Sequence, residues 1–219
     1  MIAVADLTKD EHLLGNYFSP DAYIQGDFEI GLVENRHGSR LIAMPQTLLR
    51  GIFAGLDREV GQATGVVLYN CGRWWGKNFY RRFLEEISSY YGKPLLEMET
   101  VEFLQCLKQC WKTHGWGTIE FDFSYYQKGF IVITTLNSAF AEAAGSSTMS
   151  SCSAEAGILS SFFSQMTGKN LQCVQTACES LGAEQNYFIL GLSDRLKPVE
   201  TAADKGLSHA EIIKCSIDI

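Results

Sequence analysis

TIEFDFSYYQKGFIVITTL (118–136) is the stretch that decides the fold. Ile119, Phe121, Phe123 and Tyr125 alternate with Thr118, Glu120, Asp122 and Ser124. That period of two is the mark of a strand with one apolar face. Gln127–Gly129 supplies a turn, and Phe130–Leu136 returns as a second, nearly all-apolar strand.

Upstream, GVVLYNCGRWWGKNFYRRFLEEISSYY (65–91) reads as one long helix. Trp75, Phe79 and Phe83 make an aromatic stripe at four-residue spacing. Gly72 and Gly76 lie on a neighbouring line where another backbone can approach, which would offset the ~1 kcal/mol each glycine costs in a helix. Arg73, Lys77, Arg81 and Glu85 form a third line, with an Arg81–Glu85 pair at its end. Gly92 and Pro94 stop the element. A further helix is expected over 99–113, with Leu104, Leu107 and Trp111 inward. Earlier still, 28–44 reads as a hairpin with Phe28, Ile30 and Leu32 on one side and a turn at 35–38. Pro45 then opens a helix carrying Leu48, Leu49, Ile52, Phe53 and Leu56.

Downstream, 143–151 reads as a small-residue loop into a helix that ends at Gly168. Cys152, Ala156, Leu159, Phe163 and Met166 share one face of that helix. Leu171–Cys178 and Asn186–Leu192 form another hairpin. The sequence thus predicts an N-terminal segment (1–27), a domain (28–195) and a tail (196–219) with one weak amphipathic stretch. The first ~20 residues read as loosely held. Segregated helices and antiparallel hairpins give an α+β, two-layer architecture.

Composition narrows the function. The chain has 219 residues and a net charge of −7, with a pI near 5.1, against broad nucleic-acid binding. No apolar run is long enough to span a bilayer, and the N-terminus lacks the order of a secretory signal. Seven cysteines without an export signal read as reduced thiols in a cytoplasmic setting. A dinucleotide fingerprint, a P-loop and a nucleophile elbow are all missing.

Three constellations remain. Cys106, Cys110 and His114 share a helical line; the reading favoured is two small core residues and a helix cap rather than a zinc site. Arg73, Lys77 and Arg81 could hold a phosphate or propionate, or form a solvated face. The 26 aromatic residues (13 Phe, 9 Tyr and 4 Trp) are either core or the walls of a pocket for a flat hydrophobe. On the pocket reading, the ligand lies between helix 65–91 and hairpin 116–136. Arg73, Trp75, Gly76, Lys77, Phe79, Phe83, Trp116, Phe121 and Phe123 contact it, and no residue is catalytic.

GVVLYNCGRWWGKNF (65–79), GWG (115–117), VITTLNSAFAE (132–142), the helix from Cys152 to Gly168, CESLG (178–182) and NYFIL (186–190) come in an order and spacing that resemble the V4R, or 4-vinyl reductase, domain across roughly 28–192. The resemblance implies a ligand-binding fold shared with nitric-oxide sensors and vesicle-tethering subunits. It implies a homodimer or a heterodimer with a related chain, formed through the N-terminal hairpin and neighbouring helices. The function implied is a stand-alone, non-catalytic binder of a tetrapyrrole (a chlorophyll precursor or bilin) or similar flat hydrophobe. Such a chain would work as an accessory factor in photosystem assembly, in the cytoplasm and peripheral to the photosynthetic membrane. The alternatives are a vinyl reductase of chlorophyll biosynthesis and a lipid-filled tethering module. Sensor members of the family hold zinc through three cysteines and one glutamate. Here Cys152 and Cys178 match two of those positions, while Gln175 and Asn186 replace the glutamate and the last cysteine. Two neutral amides are poor zinc ligands, so the expectation is no bound zinc.

Overall fold

A computed structural model of the chain describes residues 16–94, 97–143 and 152–217. A helical turn at Pro20–Tyr23 (α1) leads to the paired strands Ile24–Asp27 (β1) and Leu32–Asn35 (β2). Helices Gln46–Val60 (α2), Thr64–Tyr91 (α3) and Thr100–Thr113 (α4) follow. Strands Thr118–Asp122 (β3) and Phe130–Leu136 (β4) make the expected hairpin. Next come a short helix Ala139–Ala143 (α5), the helix Ser153–Thr167 (α6) and a hairpin of Leu171–Ala177 (β5) and Asn186–Leu192 (β6). Helices Ser193–Asp204 (α7) and His209–Ser216 (α8) close the chain. The four longer-range strands form one antiparallel sheet in the order β3-β4-β6-β5.

Strand alternation sorts the sheet into two covered faces. Ile119, Phe121, Ile133, Phe188 and Leu190 face a large core completed by α3, α4 and α6. Phe130, Val132 and Ile189 point to the other face. There they pack on Leu196, Val199 and Ala202 of α7 and on Ile212, Ile213 and Ile217 at the C-terminus. The tail expected to hold one weak amphipathic stretch is therefore two helices that add a third layer to the expected two. Leu196, Val199 and Ala202 recur every three residues, which suits a helix. Pro198 lies inside it and reads as a breaker in the sequence.

Helix α6 is buried almost all round, from Glu155 to Phe163, because the sheet covers one side and α3 the other. The close approach is made at glycines. A Cβ on Gly72 would strike the Ala154 carbonyl, one on Gly76 the Ile158 backbone and Ser161 hydroxyl, and one on Gly157 the Tyr69 carbonyl. The glycine line of α3 thus seats a helix backbone.

Other expectations shift. The N-terminal hairpin turns at 28–31 rather than 35–38, so Phe28 and Ile30 stand in solvent, 86% and 72% exposed. Asn35–Gly38 forms a second turn, where Asn35 Oδ1 accepts the backbone N–H groups of His37 and Ser39. Tyr17 and Phe18, expected to be loosely held, are buried, and Phe18 stacks on Phe83 with centroids 5.4 Å apart. Arg81 bonds Asn78 in place of Glu85. The ion pair on α3 is Arg82–Glu86, at 3.5 Å. Glu86 is buried and also accepts from Asn35 Nδ2 at 2.9 Å and the Tyr23 hydroxyl at 3.3 Å, clamping the hairpin to α3. The predicted loop 143–151 lies, but for Ala143, outside the described residues.

Candidate functional site

The nine residues expected to line one pocket are divided by α6. Phe79 and Phe83 pack on Phe162 of that helix, at 5.1 and 5.7 Å between centroids, while Phe121 meets Phe163 at 5.8 Å and Phe123 lies beside Phe121. The space between helix and hairpin is filled by these phenylalanines. Gly76 faces the α6 backbone, and Arg73 and Lys77 lie on the flank of α3 turned away from the aromatic stripe.

Three of the nine, Trp75, Phe79 and Trp116, do come together, and they gather partners that the sequence reading placed elsewhere. Trp116 is the hub. Its ring is 4.9 Å from Trp75, 5.3 Å from Phe79, 5.1 Å from Trp111 and 4.7 Å from His114, and Phe140 closes on Trp75 at 6.4 Å. Trp111 and Phe79 are buried, while Trp75, Trp116 and His114 are only partly covered, so the cluster reaches the surface. Gly117, at φ +98°, packs so tightly on the Leu136 and Asn137 carbonyls that no side chain fits, which fixes Trp116 at the start of β3.

Two nitrogens in this cluster are buried without a partner, Trp111 Nε1 and His114 Nε2. His114 ends α4, as expected of a helix cap, and its Nδ1 is 2.8 Å from the Cys110 carbonyl. A carbonyl only accepts, so Nδ1 carries the hydrogen and Nε2 presents a lone pair. Burial lowers the pKa of His114 and keeps the ring neutral. The pair therefore offers one donor, the indole N–H, and one acceptor. A hydroxyl can accept from the first or donate to the second, and an aromatic one would also stack on the surrounding rings. Cys106 and Cys110 are buried core residues, and burial raises both thiol pKa values, Cys106 to about 11.

The position matching the family's zinc site has a different chemistry. Cys152 and Cys178 Sγ stand 3.8 Å apart, a spacing a metal could bridge. The other two corners are already engaged. Gln175 Oε1 accepts the Cys152 N–H, while Asn186 Oδ1 accepts the Glu179 N–H and its Nδ2 donates to Glu179 Oε2 at 2.6 Å. Glu179 also accepts the Asn137 and Ser138 N–H groups, so its carboxylate ties β6 to the end of β4. The thiol contact with Cys178, then burial, raises the Cys152 pKa. These residues do not fit zinc. Among the described residues, no group of three His, Cys, Asp or Glu is placed to hold a metal ion. Nor is any described helix long and apolar enough to cross a membrane.

Comparison with solved structures places the fold. It is similar to the phenol-responsive sensory domain of the transcription activator PoxR, crystallised with phenol, at a TM-score of 0.64 and 11% identity. The overlay covers 93% of this chain and 98% of that one. Two looser overlays are a vinyl-4-reductase family protein from Methanocaldococcus jannaschii and trafficking protein particle complex subunit 3 from Naegleria fowleri, covalently bound to palmitic acid. The first has a TM-score of 0.47 and 20% identity, covering 68% of this chain and 82% of that one. The second has 0.49 and 13%, covering 68% and 95%. No curated protein matches the sequence. Residues 131–192, from β4 through β6, match the model of the V4R domain.

Proposed function

We propose that the protein is a non-catalytic binder of a flat, hydroxyl-bearing aromatic molecule, held in the Trp75–Trp111–His114–Trp116 cluster. The observation that carries this is the unpartnered donor and acceptor, Trp111 Nε1 and His114 Nε2, inside a wall of rings that reaches the surface. Burying both without a partner is costly, and a ligand hydroxyl lowers that cost. The domain of similar fold from PoxR responds to phenol, a molecule of this class. Calorimetric titration with phenol tests the reading. Saturable binding is expected, weakened about fivefold by Trp111→Phe, which keeps the ring and loses the N–H. An absence of saturation, or equal binding by the variant, overturns it.

The finer reading is a tetrapyrrole ligand and an accessory role in photosystem assembly at the membrane periphery, supported by the family resemblance. Arg73 and Lys77 lie across α3 from the cluster, so a macrocycle held there would lack these cations as partners for its propionates. Protein purified from its native cells with a pigment's visible absorbance would favour the macrocycle. The dimer belongs to the same reading. Phe28, Ile30 and Ile42 around the N-terminal hairpin, and Leu48 and Ile52 on α2, are exposed apolar residues that a second copy would cover. Light scattering should give about twice the 24.4 kDa chain mass. A clean monomer with and without phenol counts against it.

A further inference from the structure

On the flank of α3 away from the aromatic cluster, α3 and the C-terminal end of α6 enclose an open cleft of about 580 Å³. Asn70, Arg73, Trp74 and Lys77 line it from α3, with Ser161 from α6 and Lys169 just beyond that helix. Three features set it apart from ordinary surface. First, it gathers three cations, and no carboxylate stands among its described lining residues, in a chain whose net charge is −7. Second, Trp74 is 73% exposed, a large apolar ring left in water beside those cations. Third, Ser161 is only 6% exposed, and its Oγ has no hydrogen-bond partner although it borders the cleft. Gly76 is what leaves room for that hydroxyl, since a Cβ there would collide with it.

We infer that this cleft is a second ligand site, for an oxyanion, phosphate or carboxylate, carried on a flat ring. The cations meet the anion through charge-assisted hydrogen bonds, the Ser161 hydroxyl donates to one of its oxygens, and the ring stacks on Trp74. The carbonyls at the end of α6 oppose an anion with about half a charge, which three whole positive charges outweigh. The site is distinct from the aromatic cluster, which offers a neutral donor and acceptor and no cation.

Titration of the full chain with phenyl phosphate, benzoate and inorganic phosphate tests this. Phenyl phosphate should bind saturably and tighter than inorganic phosphate, and more weakly as salt rises. The double substitution Lys77→Gln and Lys169→Gln, at two exposed positions, should weaken it about tenfold or more. Trp74→Ala should erase the advantage of phenyl phosphate over inorganic phosphate, and Ser161→Ala should weaken both. Trp111→Phe should leave phenyl phosphate binding unchanged, which separates this site from the cluster. Benzoate binding tighter than phenyl phosphate, with the same sensitivity to the lysine variants, supports the site and assigns it to carboxylates. No saturable binding of any of the three, or binding indifferent to the lysine double variant, overturns the inference.

Discussion

On one face of the sheet Val132 and Ile189 meet Leu196, Val199, Ile212 and Ile217, and aliphatic side chains dominate the contact. On the other face rings meet rings: Phe79, Phe83, Phe103, Phe162 and Phe163, then Trp75, Trp111 and Trp116. The unpartnered Trp111 Nε1, His114 Nε2 and Ser161 Oγ all lie in the helices covering the ring-rich face. The aliphatic face supports the sheet, and the ring-rich face carries the unsatisfied polar groups that a ligand would complete. Aromatic side chains allow this because they fill volume while offering edges and N–H groups, which branched aliphatics lack.

Substitutions can break that contrast. The largest effect is expected at the glycine seam. Gly72→Leu drives a side chain into the Ala154 backbone, so it should exceed the ~1–3 kcal/mol of ordinary overpacking and prevent a cooperative unfolding transition. Next, Ile212→Ala on the aliphatic face should cost about 3 kcal/mol in denaturant unfolding, yet leave the phenol affinity of the folded protein unchanged. Loss of phenol binding in folded Ile212→Ala protein would show that the two faces are coupled.

A smaller, pH-dependent effect belongs to Glu155, fully buried on α6, where Ser138 donates to Oε2 at 2.8 Å. Burial raises its pKa from 4.5 to about 8. The folded state therefore holds its proton more tightly than the unfolded chain does. The stability this lends is fully present below pH 4.5 and is lost as pH rises through about 8. Glu155→Gln, neutral throughout, should flatten the Tm profile across that window. A variant profile parallel to the wild type would show that other groups set the slope. The smallest effect is expected from metal removal. A chelator should leave Tm unchanged, because amides and Glu179 hold the β5–β6 hairpin. A full equivalent of zinc that is lost together with Cys152 and Cys178 would reverse this.

Much of the fold could be read from periodicity. The β3–β4 alternation, the α3 glycine line and the α6 boundaries are local patterns, and each settled one element. The sequence misled where local pattern and burial disagree. Phe28, Ile30 and Leu32 alternate like a strand, yet the paired segment is Ile24–Asp27, whose residues are all exposed and carry no apolar rhythm. Arg81–Glu85 and Arg82–Glu86 have the same spacing, and only the burial of Glu86 selects between them. The candidate site was half legible. Trp75, Phe79 and Trp116 stood out as aromatics, and Trp111 and His114 were noted as an inward residue and a helix cap. That their nitrogens lack partners depends on which neighbours the tertiary fold brings, and no sequence spacing carries that information. Trp74 beside Arg73 and Lys77 was a visible signal for the outer cleft. Ser161 and Lys169 join them only through the α3–α6 crossing.

The margins of the four-stranded sheet have a consequence for how copies of the chain can add to one another. β3 is five residues long and turns Glu120 and Asp122 to solvent, with Glu120 2.7 Å from Lys108 Nζ. At the opposite margin, β5 slips register between Gln175 and Ala177. Short charged strands and bulged strands both reject an incoming backbone. Strand-to-strand addition at these two edges is therefore disfavoured. Raising the concentration should therefore not extend this sheet from copy to copy into a fibre.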